Sequence, residues 1–111
     1  MKEGFRVQRV ERELLELISE YFQKKLPLPA MTTVTRVQSN EKLRTAVVFI
    51  SVMGDDDQKE ETLEMIKEDL YTLQGYLNRK MHMKFVPRVK FELDLGLDHM
   101  MKIQEMLTED E

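Results

Sequence analysis

One segment of the chain, Tyr76–Lys90, carries only cations among its charged side chains. Its basic residues and its histidine are Arg79, Lys80, His82, Lys84, Arg88 and Lys90. The whole chain is acidic, with a net charge of −4, and the stretches at 55–61 and from Glu92 onward are acidic too. Such segregation favours one positive face that binds a polyanion such as nucleic acid. A patch that only aids solubility is the other interpretation, and the charge pattern leaves both open.

A second set of cations lies near the start of the chain. Arg6, Arg9 and Arg12 recur every three residues, which predicts one face of a helix near its first turns. Cations are unfavourable there, because the amino-terminal end of the helix dipole favours acids. Two explanations are open. The arginines are kept for a ligand, or neighbouring acids neutralise them. Those acids are Glu3, Glu11 and Glu13.

Catalytic and metal-binding patterns are not found. The chain has no cysteine, which excludes disulfides, zinc ribbons and thiol catalysis. We find no Ser-His-acid arrangement, phosphate-binding loop or dinucleotide fingerprint. The run Asp55–Asp57 lacks the ligand spacing of a calcium loop and is predicted to cap a helix. The nine methionines are expected to fill the core. We therefore expect no enzyme activity, cofactor, metal or small-molecule substrate.

Aromatic residues that could stack on bases are few. Tyr71 and Tyr76 fall on different faces of a predicted helix, so either could stack on a base or cover the core. Phe85 and Phe91 fit the apolar pattern of the last strand and are predicted to be buried. His82 is interpreted as a bystander. If the positive face binds a nucleic acid, the sequence thus favours recognition of its backbone and shape over reading of bases.

A helix is predicted at 5–24 to carry the arginines. Its apolar residues recur at steps of three and four along the chain. They are Val7, Val10, Leu14, Leu17, Ile18, Tyr21 and Phe22. Pro27 and Pro29 end the helix, because a proline disfavours helical geometry at the preceding residue.

Two strands and a hairpin connection follow. Residues 32–38 alternate, but neither face is cleanly apolar. They suit an edge strand, on which the charge of Arg36 would discourage pairing with another chain. Residues 46–53 are almost continuously apolar, as in a central strand that is covered on at least part of both faces.

The basic segment joins a second helical region, predicted at 58–81, to a last strand after Pro87. Gly75 lies inside that region and could mark a kink or a close backbone approach. In the strand, Val89, Phe91 and Leu93 alternate with polar residues. A short helix with Met100, Ile103 and Leu107 is predicted after Gly96.

The order α-β-β-α(α)-β-α predicts a single α+β domain over residues 1–111, with helices on one face of a three-stranded sheet. Residues 107–111 are expected to be a frayed acidic tail. No apolar run is long enough for a membrane span, and the first residues lack the apolar core of a signal peptide. We expect a cytoplasmic protein that is monomeric when free.

This element order is the type II KH topology, and three segments resemble the ribosome-binding factor A family. They are RVQRVERELLELIS at 6–19, TTVTRVQSNEKLRTAVVFISVMGD at 32–55 and MHMKFVPRVKFELD at 81–94. The resemblance extends from Phe5 to about Leu107. It implies a KH-like RNA-binding domain that binds the small ribosomal subunit and helps its RNA to mature, at the 5′ end and near the decoding region.

The resemblance and the charge pattern together predict the RNA-binding residues. They are Arg6, Arg9, Arg12, Arg79, Lys80, Lys84 and Arg88. The family has an Ala-x-Gly kink, which counting back from Pro87 puts near residues 69–71, where no such motif stands. Either the kink has moved one turn to Gly75 or the helix is straighter here. The family's arginine after the kink corresponds to about Gln74.

A protein–protein adaptor without RNA binding is the alternative. Salt dependence discriminates the two functions, because cations that neutralise phosphates release counterions. About five phosphate contacts on single-stranded RNA would give a log–log salt slope near −3.5. An adaptor would show no steep salt dependence towards RNA.

Overall fold

The helix α1, Lys2–Lys24, buries its predicted apolar stripe against the sheet. This computed structural model describes residues 2–95 and Leu107, with side chains from Phe5 onward. The other elements are β1 at Thr32–Ser39, β2 at Thr45–Val52, α2 at Asp56–Glu68, α3 at Leu70–Lys80 and β3 at Arg88–Leu93. The predicted α+β order is confirmed. No helix in this part of the chain is long and apolar enough to cross a membrane.

β2 is the central strand of a three-stranded sheet in the order β1-β2-β3. β1 pairs with it antiparallel as a hairpin, and β3 pairs with it parallel, with Thr45 opposite Arg88. Every residue of β2 except Ser51 is buried, which confirms the central strand predicted from its apolar run. β1 is an edge strand, as its mixed pattern indicated.

A β-bulge explains why β1 shows no clean apolar face in the sequence. The register with β2 shifts between Val34 and Arg36. An extra residue in one strand of a pair reverses the alternation beyond it. Val34 and Val37, an odd number of residues apart, therefore both belong to the main core.

The second helical region is two helices, interrupted at Asp69. The N–H of Asp69 still donates to the carbonyls of Met65 and Ile66, both at 3.1 Å. The break lies where counting from Pro87 put the family's kink, although no Ala-x-Gly motif is present. Gly75 lies within α3, so the expectation that the kink had moved to Gly75 was wrong.

The far face of the sheet is also covered. Val47 and Phe49 form a second buried cluster with Leu107. Leu107 is helical and 2% exposed, so the expectation that helices pack on one face alone was wrong. The frayed tail was predicted to begin at Leu107, and that expectation was wrong at this residue, which is helical and buried. The rest of the predicted last helix, with Met100 and Ile103, and residues 108–111 lie outside the described residues.

Candidate nucleic-acid interface

A groove of about 650 Å³ brings cations together from α1 and from two connections of the sheet. We call it the basic groove. Its cations are Arg6, Lys42, Arg44, Lys84 and Arg88. The described residues that line it include no acid. Cations with no carboxylate among them attract the phosphates of a nucleic acid.

The wall that carries Lys42 and Arg44 depends on an unusual backbone at Leu43. Leu43 has a φ of 57°, a left-handed conformation that costs an L-residue roughly 1–2 kcal/mol. The buried Leu43 side chain and the Asn40 side chain hold the turn, since Asn40 Oδ1 accepts from the N–H of Arg44 at 2.9 Å. The N–H of Arg88 donates to the Arg44 carbonyl at 3.0 Å. The fold therefore joins the wall formed by the turn at 42–44 to the wall that ends at Arg88, although the two segments are far apart in sequence.

A second cavity, of about 350 Å³, adjoins the basic groove. Arg6 and Met83 line both cavities, and Arg9, Glu13 and His82 complete the second one with Val10. The histidine thus lies among arginines of α1. The predicted positive surface continues along the start of α1 to Arg9. Arg12 is exposed and lines neither cavity.

Among the described side chains, no acid forms a salt bridge with Arg6, Arg9 or Arg12. Glu11 Oε2 accepts from the N–H of Ser39 at 2.8 Å, so this acid anchors the end of β1. Glu13 lines the second cavity with Arg6 and Arg9 but forms no salt bridge with either of them. Glu3 lies outside the described side chains. These contacts favour the ligand interpretation of Arg6 and Arg9.

The other two predicted cations, Arg79 and Lys80, lie on α3 and do not line the basic groove. Arg79 lines a groove of about 380 Å³ with Tyr71, Gln74, Gly75 and Asn78, which we call the α3 groove. Lys80 Nζ lies 5.7 Å from the ring centroid of Tyr76. The predicted cations are therefore spread over more than one site.

Two cations of the basic groove, Lys42 and Arg44, were missed from the sequence. Both belong to the hairpin connection, and nothing local marks them as neighbours of the basic segment. The parallel pairing of β2 with β3 sets Thr45 beside Arg88, and this pairing is not visible in the sequence.

The aromatic residues divide between core and surface. Phe85 is 77% exposed, so its predicted burial was wrong. It precedes β3, and the alternation that buries Phe91 does not reach it. Tyr76 packs on Tyr21 with ring centroids 5.0 Å apart. Tyr71 is 92% exposed. Of the two tyrosines considered for stacking, Tyr71 is the accessible one.

Gln74, at the position of the family's arginine, closes the outer edge of β3. Its Oε1 accepts from the N–H of Val89 at 3.0 Å. Its Nε2 donates to the Pro87 carbonyl at 3.0 Å. One amide side chain thereby satisfies backbone groups that an edge strand would leave open. The Gln74 side chain has a structural role here.

Asp69, at the break between α2 and α3, is tied to α1. The Tyr21 hydroxyl donates to Asp69 Oδ2 at 2.6 Å. Burial, followed by this hydrogen bond, raises the pKa of Tyr21 to about 12. The contact secures the break, and α3 with it, against the first helix.

The Asp55–Asp57 run caps a helix, as the sequence predicted. Asp55 Oδ1 accepts from the N–H of Gln58 at 2.8 Å, and Gln58 Oε1 accepts from the N–H of Asp55 at 2.9 Å. This is a capping box at the start of α2. Within the described part of the chain, no group of three or more potential ligands is placed to hold a metal ion.

The family model for ribosome-binding factor A matches residues 6–107. A relative named ribosome-binding factor A from Bdellovibrio bacteriovorus is 34% identical over 111 positions, which cover 98% of this chain and 83% of that protein.

Solved structures share the fold. A solution structure of a putative ribosome binding factor A from Thermotoga maritima has a TM-score of 0.72 and 23% identity, covering 86% of this chain and 92% of that one. A homology model of the Thermus thermophilus protein, fitted into a cryo-EM map of a 30S–RbfA complex, has a TM-score of 0.62 and 20% identity, covering 76% and 90%. The chain belongs to the ribosome-binding factor A family.

Proposed function

We propose that this protein binds the small ribosomal subunit and assists its maturation by contacting its ribosomal RNA. The basic groove, with five cations and no acid among its described lining residues, carries the proposal. Membership of the family supports it, because a Thermus thermophilus member has been fitted into a map of its complex with the 30S subunit.

The RNA contacts include phosphates bound by Arg6, Lys84 and Arg88 in the basic groove, with Arg9 and Arg12 extending the surface along α1. Arg79 and Lys80 contact RNA from α3, outside the basic groove. Phosphate contacts position a protein without reading sequence, which suits a factor that recognises a folded RNA.

The finer role follows the resemblance of the sequence to the family. The protein acts on the small-subunit RNA, in processing of its 5′ end and in late maturation near the decoding region. It works in the cytoplasm as a single KH-like domain, monomeric when free, and it has no catalytic centre of its own.

Co-sedimentation with separated ribosomal subunits tests this function. The purified protein is spun with small or large subunits at low and moderate salt. We expect binding to the small subunit alone, which weakens as salt rises because phosphate contacts release counterions. Binding to neither subunit would contradict the proposal and favour the protein–protein adaptor. Equal binding to both subunits would indicate nonspecific attraction to RNA.

A further inference from the structure

The basic groove contains an exposed aromatic ring as well as its cations. Phe85 is 77% exposed and lines the groove. Lys84 Nζ lies 5.5 Å from the centroid of this ring. Leu43 and Val86 add apolar lining. A lone exposed aromatic side chain needs no special explanation. Here, however, the ring lies among cations in one groove, and a nucleotide presents the matching pair of surfaces, a flat base and a phosphate.

We propose that Phe85 stacks on an unpaired base of single-stranded RNA while the cations of the basic groove bind the flanking phosphates. This inference rests on the proposed function and names single-stranded RNA as the ligand of the groove. It adds a stacked base to the recognition of backbone and shape that the sequence favoured when Phe85 was expected to be buried.

Single-stranded RNA suits the groove better than a duplex does. In an A-form duplex the bases are stacked on each other, so a protein ring cannot lie flat on one of them. Unpaired bases can turn outward and stack on aromatic side chains, with cations that follow the backbone. Lys84 and Phe85 are consecutive residues, so a phosphate next to the stacked base would lie within reach of an ammonium group.

Fluorescence anisotropy with an octanucleotide of single-stranded RNA and a blunt duplex of the same length tests the inference. We expect Phe85→Ala to weaken single-strand binding by about 5- to 150-fold, the range of one stacked base. Its salt slope should match the wild type, because no phosphate contact is lost. Duplex affinity should stay the same. Phe85→Tyr should bind like the wild type, since it keeps a ring.

Met31→Ala is the matched control. Met31 is 71% exposed and lines a different groove, beside Phe22, so this variant should bind both RNAs normally. Unchanged single-strand affinity in Phe85→Ala, or an equal loss on both RNAs, would overturn the stacking. So would tighter binding of a glutamate-rich peptide than of either RNA, because the groove would then take an acidic protein segment.

The two proposals fail in different ways. Small-subunit binding that persists while Phe85→Ala has no effect on the octanucleotide overturns the stacking alone. The other outcome is that the wild-type protein binds neither subunit while Phe85→Ala still weakens binding of the octanucleotide. That result overturns the proposed function and supports stacking on single-stranded RNA in the groove.

Discussion

Lys42 and Lys84 line the basic groove from two different connections, and both are exposed. Among the described side chains, no acid lies within salt-bridge distance of either lysine, whereas Lys24 Nζ and Glu20 Oε1 are 3.4 Å apart. Exposed pairs of opposite charge contribute little to stability, so exposed lysines are expected to matter for binding more than for folding. This difference makes them suitable for a test of the groove.

The double variant Lys42→Glu with Lys84→Glu is expected to fold normally and to bind small subunits at least about tenfold more weakly. Each lost phosphate contact should also reduce the magnitude of the log–log salt slope by about 0.7–0.9. Binding isotherms at several salt concentrations measure both quantities. Lys59→Glu with Lys67→Glu on α2 makes the same change of charge away from the groove. Equal losses in both variants would show that net charge alone matters.

From the raised pKa of the Tyr21 hydroxyl we predict that the stability of the protein depends on pH. The pKa of this hydroxyl is raised from 10.0 to about 12 in the folded protein, so folding favours the protonated form. That stabilisation is complete below pH 10 and is lost as the pH rises to 12. Below pH 10, we expect Tyr21→Phe to be about 1–2 kcal/mol less stable than the wild type, because Asp69 loses its donor.

Urea unfolding from pH 8 to pH 12 measures this effect. The stability advantage of the wild type over Tyr21→Phe should shrink between pH 10 and pH 12. Tyr71→Phe is the control, because the Tyr71 side chain is 92% exposed, and its profile should follow the wild type. An advantage that stays constant to pH 12 would contradict the role of the Tyr21–Asp69 hydrogen bond.

Among the elements, the two helices after β2 have one boundary that a local sequence signal sets and one that coincides with a tertiary contact. The capping box at Asp55 starts α2 and is readable in the sequence. No glycine or proline marks the break at Asp69, and only the family's pattern, counted back from Pro87, placed a kink near it. The break coincides with the contact from Tyr21 on α1, a residue 48 positions away in the chain.

Two glycine variants test which glycine these helices need. Gly54 has a φ of 143°, and a Cβ there would collide with the side chain of Gln58. Gly54→Ala should therefore cost about 2 kcal/mol through strain and loss of the cap. Among the described residues, the atom nearest to a Cβ at Gly75 would be Arg79 Nη1, at 3.4 Å. Gly75→Ala should stabilise the protein by about 0.5–1 kcal/mol.

Urea midpoints of the two alanine variants give both values. They serve as controls for each other, because the substitution is the same and only the backbone setting differs. A destabilised Gly75→Ala protein would mean that α3 needs a glycine at that position. A neutral Gly54→Ala protein would mean that the capping box can shift without cost.

At the scale of the whole molecule, an acidic face on α2 and the basic groove occupy different parts of the described structure. The exposed face of α2 carries acids, and the basic groove lies at the end of the sheet where β2 and β3 begin. The acids on that face of α2 are Glu60, Glu61, Glu64 and Glu68. A negative face repels RNA and should point away from it.

Reversing two of these acids tests the orientation. Glu60→Lys with Glu64→Lys should leave small-subunit affinity unchanged or raise it, with the larger gain at low salt, where long-range attraction is screened least. Co-sedimentation at two salt concentrations measures the effect. A clear loss of affinity would mean that α2 faces the ribosome and that the docking face is reversed.

Local patterns in the sequence were sufficient for most of the helices and strands and for the family. Periodicity depends on neighbouring residues, so the stripe of α1, the apolar run of β2 and the cap at Asp55 could be predicted. The bulge after Val34 could not, because it depends on how two strands pair.

Tertiary structure decided the composition of the site. Lys42 and Arg44 join Lys84 and Arg88 because β2 and β3 pair in parallel, an interaction between segments far apart in the chain. Phe85 is exposed because β3 begins after it. The sequence by itself determined which residues are charged or apolar and which helices and strands they form. Long-range pairing and packing decided which of them meet, because those contacts depend on the whole fold.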